Sequence, residues 1–421
     1  MNRRAIAKLE RELTEHVDSL VEGMGREERR RAMGLYVTGL LLDGERKSIE
    51  PMAARLVDSP AEIEAMRQRL QQCVTVSDWS DDELRRRLAL KLDAELPDVE
   101  AFVIDDTGFP KKGKASVGVA RQYSGTLGRT DNCQVATSLH LAGEAGSGCI
   151  ALRLYLPEAW ASDLPRRKKV GIPESTTFKK KWETALEQID DAIAWGVRKH
   201  VVLADAGYGD IGEFRAGLTE RGLKYVVGVQ GAVMVWPPGE VPDAEGAPRT
   251  VAAVAGALRR SAYTKVTWRD GSKGRQSSRF TAMRVRVATG HRRGQPPGEL
   301  QWLLCAWPKG EAAPAKFWLS TLPVNTSLKD LVRCAKLRWR VERDYQEMKQ
   351  ELGLDHFEGR TWRGFHHHAS LCLIAHGFLA LRRALFPPQP GAVDAYHGQA
   401  RSPAGAPTPR WRLPSVPKAL R

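Results

Sequence analysis

Two short runs leave this chain few choices of fold. Ala-Phe-Val-Ile at 101–104 runs straight into Asp105-Asp106, and Val-Val-Leu-Ala at 201–204 runs straight into Asp205. A strand with one wet face alternates apolar and polar residues. An unbroken apolar run this short is expected of a strand covered on both faces, as in the parallel sheet of an α/β protein. A carboxylate at the end of such a strand is costly to bury unless positive charge meets it there. Asp105, Asp106 and Asp205 are therefore the first candidates for chemistry. A plainer alternative stays open at each: Asp105 pairs with a nearby lysine, and Asp205 caps the turn Ala-Gly-Tyr-Gly that follows it.

The segments around these runs sort into regions. QVATSLHLA and CIALRLYLP read as strands at hairpin distance, with Gly143, Gly146 and Gly148 between them. TTFKKKWETALEQIDDAIAWG follows as a helix whose Trp182, Leu186, Ile189 and Ile193 form one stripe. Strands in a meander, then helix and strand, predict the first part of an RNase-H-like α/β core over 96–230. Residues 231–315 read as a β-rich insertion, in which AYTKVTW, RFTAMRVRV and QWLLCAW alternate between loops such as VPDAEGAP and TGHRRGQPPGE. KFWLSTLP resumes the core, whose second part covers 316–386, and Ser327 is placed to cap its long helix.

Residues 1–95 read as successive helices, with Leu9, Leu13, Val17 and Leu20 at helical spacing and a last helix closed by Pro97. They predict an all-helical N-terminal domain that, being basic in places, suits DNA binding, although such bundles are more often simply packed helices. Residues 387–421 are rich in Pro and Gly and carry five Lys or Arg against one acid, which predicts a disordered basic tail.

RWRVERDYQEMK, residues 338–349, sets Arg338, Glu342, Tyr345 and Lys349 at i, i+4, i+7 and i+11, one stripe of a helix. Such a stripe is commonly a solvated face laced with ion pairs. With two acids at strand ends, a third carboxylate gives it a purpose. Three carboxylates would hold two divalent cations ~3.5–4 Å apart, Mg²⁺ or Mn²⁺ being the ions that prefer oxygen ligands. Arg338 and Lys349 beside Glu342 would grip the phosphates of the strand being cut.

Charge points the same way. Lys and Arg number 65 against 50 Asp and Glu, a net charge of +15 that favours a polyanionic partner such as DNA. Part of that excess is compositional, since the chain is rich in Ala, Arg, Gly and Pro. Six cysteines with no C-x-x-C pair exclude a zinc ribbon and a disulfide scaffold, and predict a reduced, cytoplasmic protein. No apolar run approaches the ~20 residues needed to span a bilayer.

Two other patterns carry less. GFPKKGKA (108–115) nearly spells a phosphate-binding loop, but Ala115 lacks the hydroxyl that would meet Mg²⁺, so no nucleotide cofactor is expected. Lys111, Lys112 and Lys114 are better read as DNA-phosphate contacts beside the first acid. Arg166–Lys169 and Lys179–Lys181 offer a second basic surface. His366-His367-His368 cannot form one chelating face, because consecutive helical residues point 100° apart.

FVIDDTGFPKKG, VVLADAGYG and RWRVERDYQEMKQELGLDHFEGRTWRGFHHH together resemble the three signature blocks of DDE transposases of bacterial insertion sequences. They are most similar to the insertion-sequence 701 branch of the insertion-sequence 4 superfamily, over roughly residues 30–385. The resemblance implies an RNase-H-like core with catalytic, metal-binding Asp105, Asp205 and Glu342. Asp106 is the alternative first acid in the D-x-T pattern. It also implies DNA contacts by Arg338 and Lys349, the last members of a Y-x2-R-x3-E-x6-K motif.

The motif's tyrosine is replaced by Ala335, which leaves Tyr345 as a candidate substitute contact. Family members can stack an aromatic of the β insertion on a flipped base, and Trp268, Trp302, Trp307 and Trp318 are available, though each is an ordinary core residue by its type. The implied function is Mg²⁺-dependent cleavage at the ends of its own insertion sequence and joining to target DNA, by a homodimer assembled on the DNA ends. A non-catalytic DNA-binding regulator descended from a transposase is the alternative.

Overall fold

A computed structural model describes residues 3–240, 247–271, 274–288 and 298–385. The predicted basic tail, 387–421, lies outside the described residues. Five helices come first: α1 (Arg3–Val21), α2 (Glu27–Leu41), α3 (Ile49–Leu56), α4 (Ile63–Thr75) and α5 (Asp81–Glu95). Strands β1 (Val99–Pro110), β2 (Ala120–Ser124), β3 (Arg129–Gly143) and β4 (Ser147–Leu154) follow. Next come α6 (Glu158–Ala161), α7 (Leu164–Val170), α8 (Lys181–Ala194), β5 (Val201–Ala204), α9 (Ala206–Gly209), α10 (Gly212–Glu220) and β6 (Tyr225–Val229). The following stretch holds β7 (Met234–Trp236), β8 (Arg249–Thr250), α11 (Val251–Gly256), β9 (Thr264–Gly271), β10 (Gly274–Val287), β11 (Gln301–Trp307) and β12 (Lys316–Ser320). The last elements are α12 (Leu328–Leu337), α13 (Trp339–Gln346), a π turn (Glu347–Glu351) and α14 (Trp362–Leu385). The chain is thus mixed α/β with a helical N-terminal part.

These elements divide into two compact units. One holds the chain up to Val99, Asp106–Arg198 and Arg340 onward; the other holds Glu100–Asp105 and Lys199–Trp339. In the first unit β3 pairs antiparallel with β2 and with β4. The β3–β4 turn closes through Gly143 N–H to Gly146 O, where the three glycines were noted. Helix α14 is the spine of this unit and packs on α2, α4, α5 and β4. It is buried along nearly its whole length, as a helix apolar on all sides should be. None of the described helices is long and apolar enough to cross a membrane.

In the second unit β1 pairs in parallel with β5 and β5 in parallel with β6. The remaining neighbours are antiparallel: β6 with β12, β12 with β11, β11 with β10, and β10 with β9 and β7. Ala101–Ile104 are wholly buried, as expected of a strand covered on both faces. Ser327 caps α12 by accepting the Asp330 N–H. All six cysteines are buried free thiols.

The three consecutive histidines of α14 are structural. His366 Nδ1 faces Trp362 O, His367 stacks on Trp79, and His368 takes the Tyr36 hydroxyl on Nδ1 and faces Gly353 O with Nε2. They look in three directions, as their 100° offset requires.

Burial keeps the imidazoles of His16 and His368 neutral, each pulled down from 6.5 to about 4. The unfolded chain therefore binds more protons than the folded one between these values, and stability falls as pH drops from 6.5 toward 4. Each imidazole should cost on the order of 3 kcal/mol by the end of that window. Urea unfolding at pH 7.5 and pH 4.5 should show the loss, and His16→Gln, which keeps a donor for Ile374 O, should flatten it. An equal midpoint at both pH values would contradict the assignment.

Candidate active site

The register of β1 against β5 pairs Ala101 with Val201, Phe102 with Val202 and Val103 with Leu203. Asp105 and Asp205 each stand two residues beyond the last of these pairs. By the two-residue pleat they share the sides of Val103 and Leu203. The sheet thus carries the two acids out of a dry interior on neighbouring strands.

Each acid has a partner. Arg338, the residue that ends α12, donates Nη1 to Asp105 Oδ2 at 2.6 Å, with the carboxylate side chain only 16% exposed. The counter-charge expected of a lysine comes from an arginine. Asp205 caps α9 and accepts the Gly207 N–H at 2.9 Å, so the turn-capping alternative holds as a local fact. Behind it, α9 lies so close to β6 that a Cβ on Gly209 would fall 1.9 Å from Gly228 O. Glycine at 209 is what lets the Asp205 turn sit on β6.

In the other unit Asp106 accepts from Thr137 Oγ1 at 3.2 Å and from Lys181 Nζ at 2.7 Å. Glu342 is exposed on α13, four residues after Arg338. The helix expected to run unbroken through 338–349 is instead interrupted at Arg338 and widened at Glu347–Glu351, where Leu352 N–H reaches back to Glu347 O. A single straight stripe is lost. Such π turns recur at functional positions. From this one Lys349 donates Nζ to Gly108 O at 2.7 Å and Thr126 Oγ1 at 3.1 Å, three residues past Asp105 in the chain. Burial lowers the Lys349 ammonium to about 8.

The remaining candidates separate by exposure. Lys112 and Lys114 are exposed, whereas Lys111 is half-buried, donates to Phe357 O at 3.0 Å and has its pKa lowered by burial. Tyr345 is half-buried, with its hydroxyl on Ser138 Oγ. Trp268 and Trp318 enclose the Lys336 ammonium, 4.8 Å from each ring, and burial lowers that amine to about 8. Trp302 bonds Pro323 O and Trp307 bonds Glu311 O, so all four tryptophans have local partners.

Asp105 and Asp205 are hard oxygen donors, and their chemistry fits Mg²⁺ or Mn²⁺. The described residues contain no group of three or more His, Cys, Asp or Glu side chains placed to hold a metal ion together.

With this geometry in view, the sequence matches the family described as DDE superfamily endonuclease over residues 19–275, more than half of the chain. The chain belongs to that family. The matched span contains Asp105 and Asp205 and ends before Glu342. The chain is also similar to a protein of Microchaete diplosiphon described as a probable transposase for insertion sequence element IS701. The two are 31% identical over 194 residues, which are 46% of this chain. The chain spans about half the length of that curated relative, 47% of it. Together these matches bear out the resemblance to DDE transposases of the insertion-sequence 701 branch.

Sequence reasoning missed the buried side of this DDE chain's α13. Asp344 accepts from His140 Nδ1 and from Ser147 Oγ, both at 2.7 Å, and Glu347 is forked by Arg383. Burial works against the His140 imidazolium, but the Cys149 sulfur and the Asp344 carboxylate outweigh it and raise the group to about 10. The only trace in the sequence was acids at 344 and 347, off the Glu342 face of the helix.

Gly209→Ala tests whether close packing of α9 positions Asp205. A methyl overlapping a backbone oxygen should destabilise the protein by about 1–3 kcal/mol, as overpacking does. Denaturant titration would register the loss, whereas Gly212→Ala, with only the Arg215 tip 3.9 Å away, should be near neutral.

Proposed function

We propose that the chain is a DDE transposase that cuts DNA at the terminal inverted repeats of its own insertion sequence and joins the freed ends to target DNA. The observation that carries this is the pair of carboxylates, Asp105 and Asp205, each two residues past the last paired position of adjacent parallel strands within the segment matched by the DDE family. The fold is read as an RNase-H-like core over 96–230 and 316–386. An N-terminal DNA-binding region (1–95), a β-rich insertion (231–315) and a basic tail (387–421) complete that division.

In this proposal Asp105, Asp205 and Glu342 would hold the divalent cations, with Asp106, bonded to Thr137 and Lys181, the alternative first acid. Bound Mg²⁺ or Mn²⁺ would supply activation of the attacking oxygen and charge neutralisation at the departing one. In the first step water attacks phosphorus, the P–O3′ bond breaks, and a 3′-hydroxyl and a 5′-phosphate remain. In the second that 3′-hydroxyl attacks a target phosphodiester, forms the new P–O bond and releases the target's own 3′-hydroxyl. Arg338 now neutralises Asp105; once that carboxylate has another counter-charge, its guanidinium is suited to a phosphate in bidentate fashion.

Lys349 would set the strand against the end of β1, while exposed Lys112 and Lys114, with Lys111 behind them, meet the flanking phosphates. Joining two ends calls for a homodimer on DNA. Acting on bacterial DNA, the protein would work in the cytoplasm, associated with the nucleoid through its substrate.

Glu342→Gln keeps the size of the side chain and removes its charge. A plasmid bearing the element's inverted repeats should be nicked by the wild-type protein with Mg²⁺ and not with EDTA. The variant should bind the ends with unchanged affinity and lose nicking by a factor on the order of 10³ or more, as expected when a carboxylate that would hold the catalytic cations is lost. Mg²⁺-dependent nicking by Glu342→Gln at the wild-type rate would refute the assignment. DNA binding without any nicking by the wild type would favour the regulator.

A further inference from the structure

Glu342 lies on the exposed side of α13, and the inward side carries two buried acids, one on this short helix and one at the start of the π turn that follows it. Asp344 is 3% exposed and Glu347 5%. A helix that needed only stability would place leucine at both positions, since burying a carboxylate is unfavourable unless every partner is in place. Here the partners are in place. Asp344 uses one oxygen on His140 Nδ1 of β3 and the other on Ser147 Oγ of β4, each at 2.7 Å.

The chain of bonds does not stop there. His140 Nε2 meets Ser138 Oγ at 2.9 Å, and Ser138 Oγ meets the hydroxyl of Tyr345, the residue after Asp344. Two successive residues of α13 are therefore tied to β3 through one His-Ser pair, closing a ring of hydrogen bonds. Glu347, one turn on, receives Arg343 Nε at 2.9 Å and the fork of Arg383 from α14. His376 of α14, fully buried, stands 3.6 Å from Asp344 and 3.5 Å from Glu347.

We propose that the ring Asp344–His140–Ser138–Tyr345, with Ser147, is a positioning device that fixes the rotation and register of α13, and so where the Glu342 carboxylate points. The inference rests on the endonuclease reading of Glu342. Hydrophobic packing alone lets a helix slide or turn by fractions of an ångström. A closed set of directional bonds does not, and a satisfied buried polar network specifies one arrangement. Reaction geometry is sensitive on that scale, since a misplacement of 1 Å can cost about 10²-fold in rate. Tyr345 acts inward in this scheme and not on DNA.

The test uses the full chain, a plasmid with the element's inverted repeats, and four variants: Asp344→Asn, Ser147→Ala, Ser147→Thr and Tyr345→Phe. Single-turnover nicking with Mg²⁺, end binding in EDTA and thermal midpoint are measured for each. Positioning predicts that Ser147→Ala and Tyr345→Phe slow nicking by about tenfold and Asp344→Asn by about 10²-fold, with end affinity within about twofold of wild type. Ser147→Thr, which keeps the hydroxyl, should restore the rate lost in Ser147→Ala. If Asp344→Asn does not fold, the two milder substitutions and the rescue still decide the matter.

Nicking at the wild-type rate in folded variants overturns the positioning role alone. So does a rate that falls only in step with the thermal midpoint and end affinity, which is the behaviour of a merely structural network. A wild-type protein that binds ends and never nicks overturns the endonuclease reading, and this inference with it.

Discussion

The parallel pairing of β1 with β5 is the constraint on which the proposed chemistry depends. Because Ala101–Ile104 and Val202–Ala204 are buried, slipping either strand by one residue would draw the carboxylate that follows it into the dry interior of the sheet. Register is therefore fixed by the core, which places the acids that follow the two buried runs: Asp105 within β1, which continues to Pro110 beyond the end expected from the sequence, and Asp205 just past β5. The absent Cβ of Gly209 lets the turn after Asp205 sit on β6, and Arg338 gives Asp105 a positive neighbour. A charge in that position is tolerable only with such a partner, which is why the same carboxylate is suited to a cation.

The segment 338–351 has two faces with opposite demands. One presents Glu342 outward; the other sinks Asp344 and Glu347 among His140, Ser147, Arg343 and Arg383. The widened turn that follows takes Lys349 to the backbone of β1 at Gly108. A helix held from behind by directional bonds has little freedom to rotate. That rigidity, more than any propensity of the sequence itself, defines where its exposed carboxylate stands.

Much of this was legible beforehand. The two apolar runs predicted β1 and β5 because burial on both faces leaves an unbroken pattern, and the Ser327 cap followed from local hydrogen bonding. The helix 338–349 was only partly legible. Counting residues assumed one uninterrupted period of 3.6, whereas the structure breaks the helix at Arg338 and widens it beyond Gln346. The Tyr345 hydroxyl goes to Ser138, 207 residues away in sequence, and Asp344 to His140, 204 residues away. Contacts of that span leave no periodic trace.

By itself, then, the sequence determined the local items: which runs are buried strands, which residues cap helices, which acids follow those runs, and the basic balance that suits DNA. These follow from side-chain pattern over a few neighbouring residues, where hydrophobicity and hydrogen bonding act at short range. Only the tertiary structure decided which cation neutralises Asp105, how closely α9 approaches β6, and which acids of the 338–351 segment face inward. Those outcomes depend on groups brought together by packing from distant parts of the chain, and no short-range pattern encodes the partner of a buried charge.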